Sequence, residues 1–349
     1  MLIDIFNAAD PQQIDGVGGA TSTTSKAAII SPAGVGDDVD VDYLFAQVGI
    51  GEGRVEWESN CGNCATAIAL YAVSRGLVTI TPGSTLVRMR NLNTGARLEA
   101  DVATPDGTLP TFGEARVPGT LATGVPVTLA FLDAAGTATG GILLPTGHAQ
   151  EELAVDGNGF HVSMIDAGAP MVLVDASDFG LTGAEDLTRI VPLVPTLTEI
   201  RSTAAVRMGL RTAAGRVNHA VPKVGIIGPA SDYTTTSGEK ISASSYDISV
   251  RTLSMHTPHP AIGLTSAVAI AAASVTPGTL VNLALAAGNQ QAYGDRRLRI
   301  GTAAGVIHTT FALDASGQFN RIGLERAARI ISESVIFTRG ASATAHASI

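Results

Sequence analysis

The sequence predicts an α+β fold in which one architectural unit is used twice, each copy built around a short, buried, apolar helix. Three observations predict it. First, 45% of the residues are hydrophobic, only 15% are charged and 4% aromatic, and there are 39 glycines. Such a chain builds its surface from Gly, Ala, Ser and Thr, and its core from small residues between many tight turns, which leans toward sheet. Second, three stretches recur in the same order at nearly constant spacing. Third, Ala65 to Val73 and Ala267 to Val275 are apolar runs about half as long as the roughly 20 residues a bilayer span needs, so they read as core helices. A length of 349 residues accommodates two domains of about 100 to 200 residues each.

The elements follow in order. Ser25 to Pro32 recurs as Pro222 to Pro229, and each reads as a buried strand stopped by proline. Tyr43 to Ile50 and Tyr246 to Leu253 are strand-like, and each precedes a loop and then an apolar helix. Thr81-Pro82-Gly83-Ser84 is matched by Thr276-Pro277-Gly278-Thr279, a turn expected to launch a strand in each half, Leu86 to Met89 and Leu280 to Leu285. A strand over Val127 to Leu132 should complete the first half. The junction is expected near Pro145-Thr146-Gly147, giving domains over 1–145 and 146–340 and a frayed tail over 341–349. In the second half, Phe160 to Val174 reads as a hairpin broken at Asp166 to Pro170. A helix should start between Thr182 and Asp186, with Leu197, Ile200, Ala204 and Met208 on its inner face.

Composition also excludes function classes. The net charge is −9 and no basic cluster appears, which argues against a nucleic-acid partner. The two cysteines, Cys61 and Cys64, cannot make a disulfide framework and suit a reducing cytoplasm. Asp4 interrupts the apolar start and no basic residues precede it, so no signal peptide is read there, and no membrane span is expected.

Two segments carry chemistry. The loop Asp15 to Lys26 combines Gly18 and Gly19, which let backbone approach a ligand, with the hydroxyls of Ser22 and Ser25, and it ends on Lys26. This is an expected anion cradle. Only three lysines occur, and Lys26 and Lys223 occupy equivalent places in the repeat; Lys223 reads as a surface lysine at a strand end. The second segment, Asn60-Cys61-Gly62-Asn63-Cys64, opens the first apolar helix. Unpaired amides and the positive end of the helix dipole lower a thiol pKa there, so Cys61 is a candidate thiolate, with Asn60 and Asn63 as caps and donors. Cys64, already inside the helix, reads as a small apolar filler. A redox dithiol and half of a zinc site are the alternatives; the flanks differ from a thioredoxin-like motif, and no further ligands stand at metal spacing.

His259 lies as far from Lys223, to within one residue, as Cys61 does from Lys26. It is expected to cap the second apolar helix, where Thr265 and Ser266 would help hold a carboxylate. The plainer reading makes His256 and His259 polar loop residues beside prolines.

At Gln13 to Lys26, Val41 to Val48, Asn60 to Asn63, Pro145 to Gly147, Arg207 to Leu210 and Pro277 to Val281 the chain resembles the 2-methylaconitate cis-trans isomerase (PrpF-type) family, within the diaminopimelate-epimerase-like superfamily. The resemblance runs nearly end to end. It implies two pseudo-symmetric, barrel-like domains, each wrapped round a central helix, and a cofactor-free isomerase of small unsaturated di- or tricarboxylates. It places the family's acid/base lysine on Lys26 and its acid/base cysteine on Cys61. Family members begin with a strand carrying an Arg-Gly-Gly-Thr-Ser-Lys type sequence, and this chain starts beyond it, so a shortened N-terminus is the expectation.

The reaction so implied is a 1,3-proton shift through a dienolate, stabilised by helix N-termini and backbone amides. An amino-acid epimerase is a poor rival, because that chemistry wants a cysteine in each half and the second half has none. A catalytically silent polycarboxylate-binding protein is the rival from another class. A homodimer is an open alternative to a monomer.

Overall fold

Period-two burial along Val41–Val48 puts Val41, Tyr43 and Phe45 on the core side of a strand, and that strand organises the first of two compact units. The computed structural model describes residues 1–338 except 22, 58–60, 212–220, 288–296 and 314–318. Unit 1 comprises residues 1–113 and the segment from Ala328 onward; unit 2 comprises Glu114–Ala327. The boundary therefore falls earlier than the expected Pro145 turn. The strand over Thr123–Leu132 hydrogen-bonds with the strand over Phe319–Ala328, and both lie in unit 2.

In unit 1 a short helix α1 (Leu2–Ile5) precedes β1 (Lys26–Pro32), β2 (Val41–Val48), β3 (Val55–Glu56), helix α2 (Gly62–Ser74), β4 (Gly83–Asn91) and β5 (Arg97–Thr104). The sheet order is β1-β2-β4-β5 with β3 on β2. β1 pairs antiparallel with β2, β2 parallel with β4, and β4 antiparallel with β5. Helix α2 packs on β1, β4 and β5 and buries Ala65, Ile68, Ala69, Leu70, Ala72 and Val73. Its Ala-rich sequence favours helix. It stops at Gly76, whose φ of 66° lets Gly76 and Leu77 donate back to the Val73 and Ala72 carbonyls.

Unit 2 opens with β6 (Ala115–Arg116), β7 (Thr123–Leu132), β8 (Glu151–Val155), β9 (Asn158–Ala167) and β10 (Ala169–Asp175). Helices α3 (Leu187–Ile190) and α4 (Val194–Arg207) follow; Asp186 caps α3 by accepting from the Thr188 and Arg189 amides. Then come β11 (Lys223–Pro229), the small pair β12 (Tyr233–Thr234) and β13 (Lys240–Ile241), β14 (Ile248–Ser254), β15 (Thr257–Pro258), α5 (Leu264–Val275), α6 (Leu280–Ala287), β16 (Arg297–Thr302), β17 (Gly305–Leu313) and β18 (Phe319–Ala328). The sheet order within this unit is β7-β18-β17-β16-β14-β11-β10-β9-β8. β10, β11 and β14 are buried along almost their whole length, because helices cover the sheet: α4 packs on β8 and β11, and α6 on β10, β11 and β14. Helix α5 is apolar all round and is buried from Leu264 to Ser274.

The internal repeat is visible in the pairing. β1-β2-β3-α2-β4-β5 recurs as β11-β14-β15-α5-β16-β17 with the same strand directions at every step. One departure separates the copies. β11 receives β10 in parallel on its second edge, whereas β1 is the last strand of its sheet among the described residues.

One expected strand is a helix. Leu280 to Leu285 forms part of α6 because Thr279 acts as its cap: its Oγ1 accepts from the Asn282 amide at 3.3 Å and donates to the Ala273 carbonyl at 2.6 Å. The Asn282 side chain in turn accepts from the Gly278 amide, and the Leu280 amide donates to Ser163 Oγ at 2.9 Å. Leu280, Val281 and Leu285 are buried, and the step of four from Val281 to Leu285 is a helical rather than an alternating spacing. Among the described residues no single helix is long and apolar enough to cross a membrane; α5 and α6 reach that length only together, bent by 59°.

Candidate active site

Lys26 is the first residue of β1 and Cys61 the N-cap of α2, and packing of α2 on β1 brings their side chains together. Lys26 Nζ donates to Cys61 Sγ at 3.6 Å and lies 5.5 Å from the centre of the Phe45 ring. Phe45 is buried on β2, so the ammonium sits between an aromatic face and a thiol. Cys61 has extended backbone angles (φ −132°, ψ 105°) and its side chain makes no capping hydrogen bond.

The thiol is tuned toward its anion. Hydrogen bonding from the Cys64 side chain and the positive charge of Lys26 lower the Cys61 pKa from 9.0 to about 5, against burial, which works to raise it. The partner thiol moves the other way: hydrogen bonding to Cys61, followed by burial and the Cys61 charge, pushes Cys64 well above the ordinary thiol range. The pair therefore shares one proton, held on Cys64. Burial also pushes the Tyr43 phenol up, with the two cysteines adding to the shift and a hydrogen bond from Asn91 opposing it. From sequence alone Cys64 reads as an apolar filler. The signal that identifies it is its spacing, since the N-cap and the third helical residue face each other across the first turn.

The loop before Lys26 is folded on itself. Gln13 is buried; its Oε1 accepts from Ser25 Oγ at 2.6 Å and from the Ala20 amide at 3.0 Å. A Cβ on Gly18 would stand 2.0 Å from Gln13 Oε1, and one on Gly19 would stand 2.4 Å from Thr24 Oγ1. These glycines make room for the loop's own side chains. Ser25 is likewise spent within the loop, and its carbonyl accepts from Gln47 Nε2 and the Val48 amide, which anchors Lys26 at the strand start. Gln13 and Gln47 carry no motif of their own, and only the tertiary fold reveals them. Ser22 and Asn60 lie outside the described residues.

Gly62 is buried at the first position of α2, where its carbonyl accepts from Thr66 Oγ1, and Asn63 is exposed on the next position. Cys61, not either asparagine, is the α2 N-cap residue. In unit 2 the expectation for His259 needs correction: the N-cap of α5 is Gly263. The His259 amide donates to the Thr252 carbonyl, and its ring Nδ1 accepts from the Ala261 amide at 2.9 Å, so the ring is turned into its own loop. The reason is Pro258 and Pro260, which hold the chain extended past the position the repeat assigns to the cap. Thr265 and Ser266 are buried in the first turn of α5. Among the described residues no group of three or more His, Cys, Asp and Glu side chains is arranged to hold a metal ion.

Known proteins share both this sequence and this architecture. The 2-methyl-aconitate isomerase of Shewanella oneidensis is 35% identical over 96% of this chain and 87% of its own length. The 4-oxalomesaconate tautomerase of Pseudomonas putida is 35% identical over 96% of this chain and 87% of its own. A crystal structure of methylitaconate-delta-isomerase superposes with a TM-score of 0.84 at 33% identity, covering 97% of this chain and 87% of that one. The profile of the PrpF protein family matches residues 1–339. The chain belongs to the PrpF family.

Proposed function

We propose that this chain is an isomerase that moves a proton between two carbons of a small unsaturated di- or tricarboxylate, with Cys61 and Lys26 as the proton carriers. The observation that carries the reading is the 3.6 Å contact between Lys26 Nζ and Cys61 Sγ at the N-terminus of α2. Relatives named for 2-methyl-aconitate, methylitaconate and 4-oxalomesaconate define the class of substrate.

The chemistry follows from the charges. With its pKa lowered to about 5, Cys61 is a thiolate at neutral pH and takes the proton from the carbon acidified by a conjugated carboxylate. A dienolate forms, and the Lys26 ammonium delivers a proton to the far carbon. The products are then a thiol and an amine in contact, and one proton passing from Sγ to Nζ restores the starting pair. Positive charge from Lys26 and the positive end of the α2 dipole favour the intermediate anion.

The test is proton exchange in D₂O followed by proton NMR, with 2-methylaconitate, cis- and trans-aconitate, methylitaconate and 4-oxalomesaconate as a panel. Deuterium should enter substrate and product, and Lys26→Ala and Cys61→Ser should each slow that exchange by about 10²- to 10⁴-fold, the usual worth of a positioned acid or base. Exchange undiminished in both variants rejects the assignment. Binding of these acids by calorimetry without any exchange identifies a silent binding protein instead.

A further inference from the structure

We propose that Cys61 and Cys64 form a reactive dithiol that a hydroperoxide closes to a disulfide, reversibly switching the proton-transfer site off. The geometry carries it. Cys61 is the N-cap of a 13-residue helix and Cys64 is its third residue. In the first turn of a helix these two positions are the ones whose side chains reach back and forth in a capping box, so the backbone already brings both sulfurs to one spot. Both are free thiols, and each is partly exposed. Lys26 Nζ stands 3.6 Å from Cys61 Sγ, a cation that favours thiolate attack on a peroxide oxygen.

The steps balance. The Cys61 thiolate attacks hydrogen peroxide, forming an S–O bond as the O–O bond breaks; Cys61 becomes a sulfenic acid and hydroxide leaves. The Cys64 sulfur then attacks the Cys61 sulfur, the S–O bond breaks, and the Cys64 proton leaves with the oxygen as water. Two sulfurs are oxidised by one electron each, and the peroxide is reduced by two. With no third ligand in reach among the described residues, redox chemistry suits this pair better than metal binding.

The dithiol is independent of what the protein catalyses, while the loss of activity rests on Cys61 carrying the proton, as proposed above. The reduced protein is treated with stoichiometric hydrogen peroxide, quenched with iodoacetamide and weighed intact, with peptide mapping and deuterium exchange on the same sample. Expected is a species about 2 Da lighter that resists alkylation at Cys61 and Cys64, exchanges at least about tenfold more slowly, and regains mass and activity with dithiothreitol. In Cys64→Ser, one equivalent of peroxide should add one oxygen to Cys61 that dithiothreitol removes, and a second equivalent should carry it to a sulfinic acid that dithiothreitol fails to reverse. Direct conversion of wild-type Cys61 to sulfinic acid with Cys64 still alkylated overturns the dithiol, as do two thiols that stay alkylatable. A disulfide that forms while exchange continues overturns the switch and removes Cys61 from the mechanism. A missing disulfide in a protein whose exchange Cys61→Ser abolishes rejects the dithiol alone.

Discussion

Lys26 Nζ and Cys61 Sγ meet at 3.6 Å across 35 residues of sequence. The contact exists because α2 runs back over β1, which places the first residue of the strand beside the N-cap of the helix. Charge, hydrogen bonding and backbone position then act on one sulfur, and four predictions follow from this contact and from the loops and turns within each unit.

Alkylation of Cys61 by iodoacetamide should rise through a midpoint near pH 5 and level off above it, because the thiolate is the reactive form and the pKa is lowered to about 5. Lys26→Met removes a positive charge, and Cys64→Ala removes the leading hydrogen bond, so each should move the midpoint toward the ordinary thiol value. The second shift should be the larger. A wild-type midpoint near 9 contradicts the geometry.

Ser25→Ala should destabilise the protein by about 1 to 3 kcal/mol in urea unfolding, since the buried Gln13 Oε1 loses its hydroxyl donor and keeps only the Ala20 amide. An unchanged midpoint and slope would show that Gln13 does not organise this loop.

Two glycines at nearly the same backbone angle should respond differently to alanine. Gly76 (φ 66°) has open space where a Cβ would go, so Gly76→Ala should cost about 1 to 2 kcal/mol from conformation alone. At Gly168 (φ 67°) the Cβ would stand 2.9 Å from Val268 Cγ1, and the added overpacking should bring the cost to about 2 to 5 kcal/mol. Equal losses in denaturant would refute the role given to Val268.

Thr279→Val should cost about 0.5 to 2 kcal/mol, the usual value of a lost helix cap, and amide exchange should speed up at Asn282, whose N–H loses its acceptor. Protection retained at that amide would refute the capping role.

The sequence by itself determined the architecture used twice, because pattern and punctuation are local. Buried strands stopped by proline, apolar runs of helical length and a recurring order of motifs are written in neighbouring residues, and the pairing of β1-β2 and β11-β14 follows them. It also singled out Lys26 and Cys61, each through its company in the chain. The tertiary structure decided what depends on distant partners. Leu280 to Leu285 is a helix because Ser163, 117 residues away, accepts the first amide and Thr279 caps the turn. The units part at Gly113 rather than Pro145, and β7 lies in the same unit as β18, its neighbour from nearly 200 residues later in the chain. His259 does not cap α5 because its ring is engaged by Ala261. Along the chain Cys64 reads as packing, since a small apolar residue suits a buried helix; the fold sets it in the first turn after Cys61, where hydrogen bonding and one ammonium set which sulfur carries the charge.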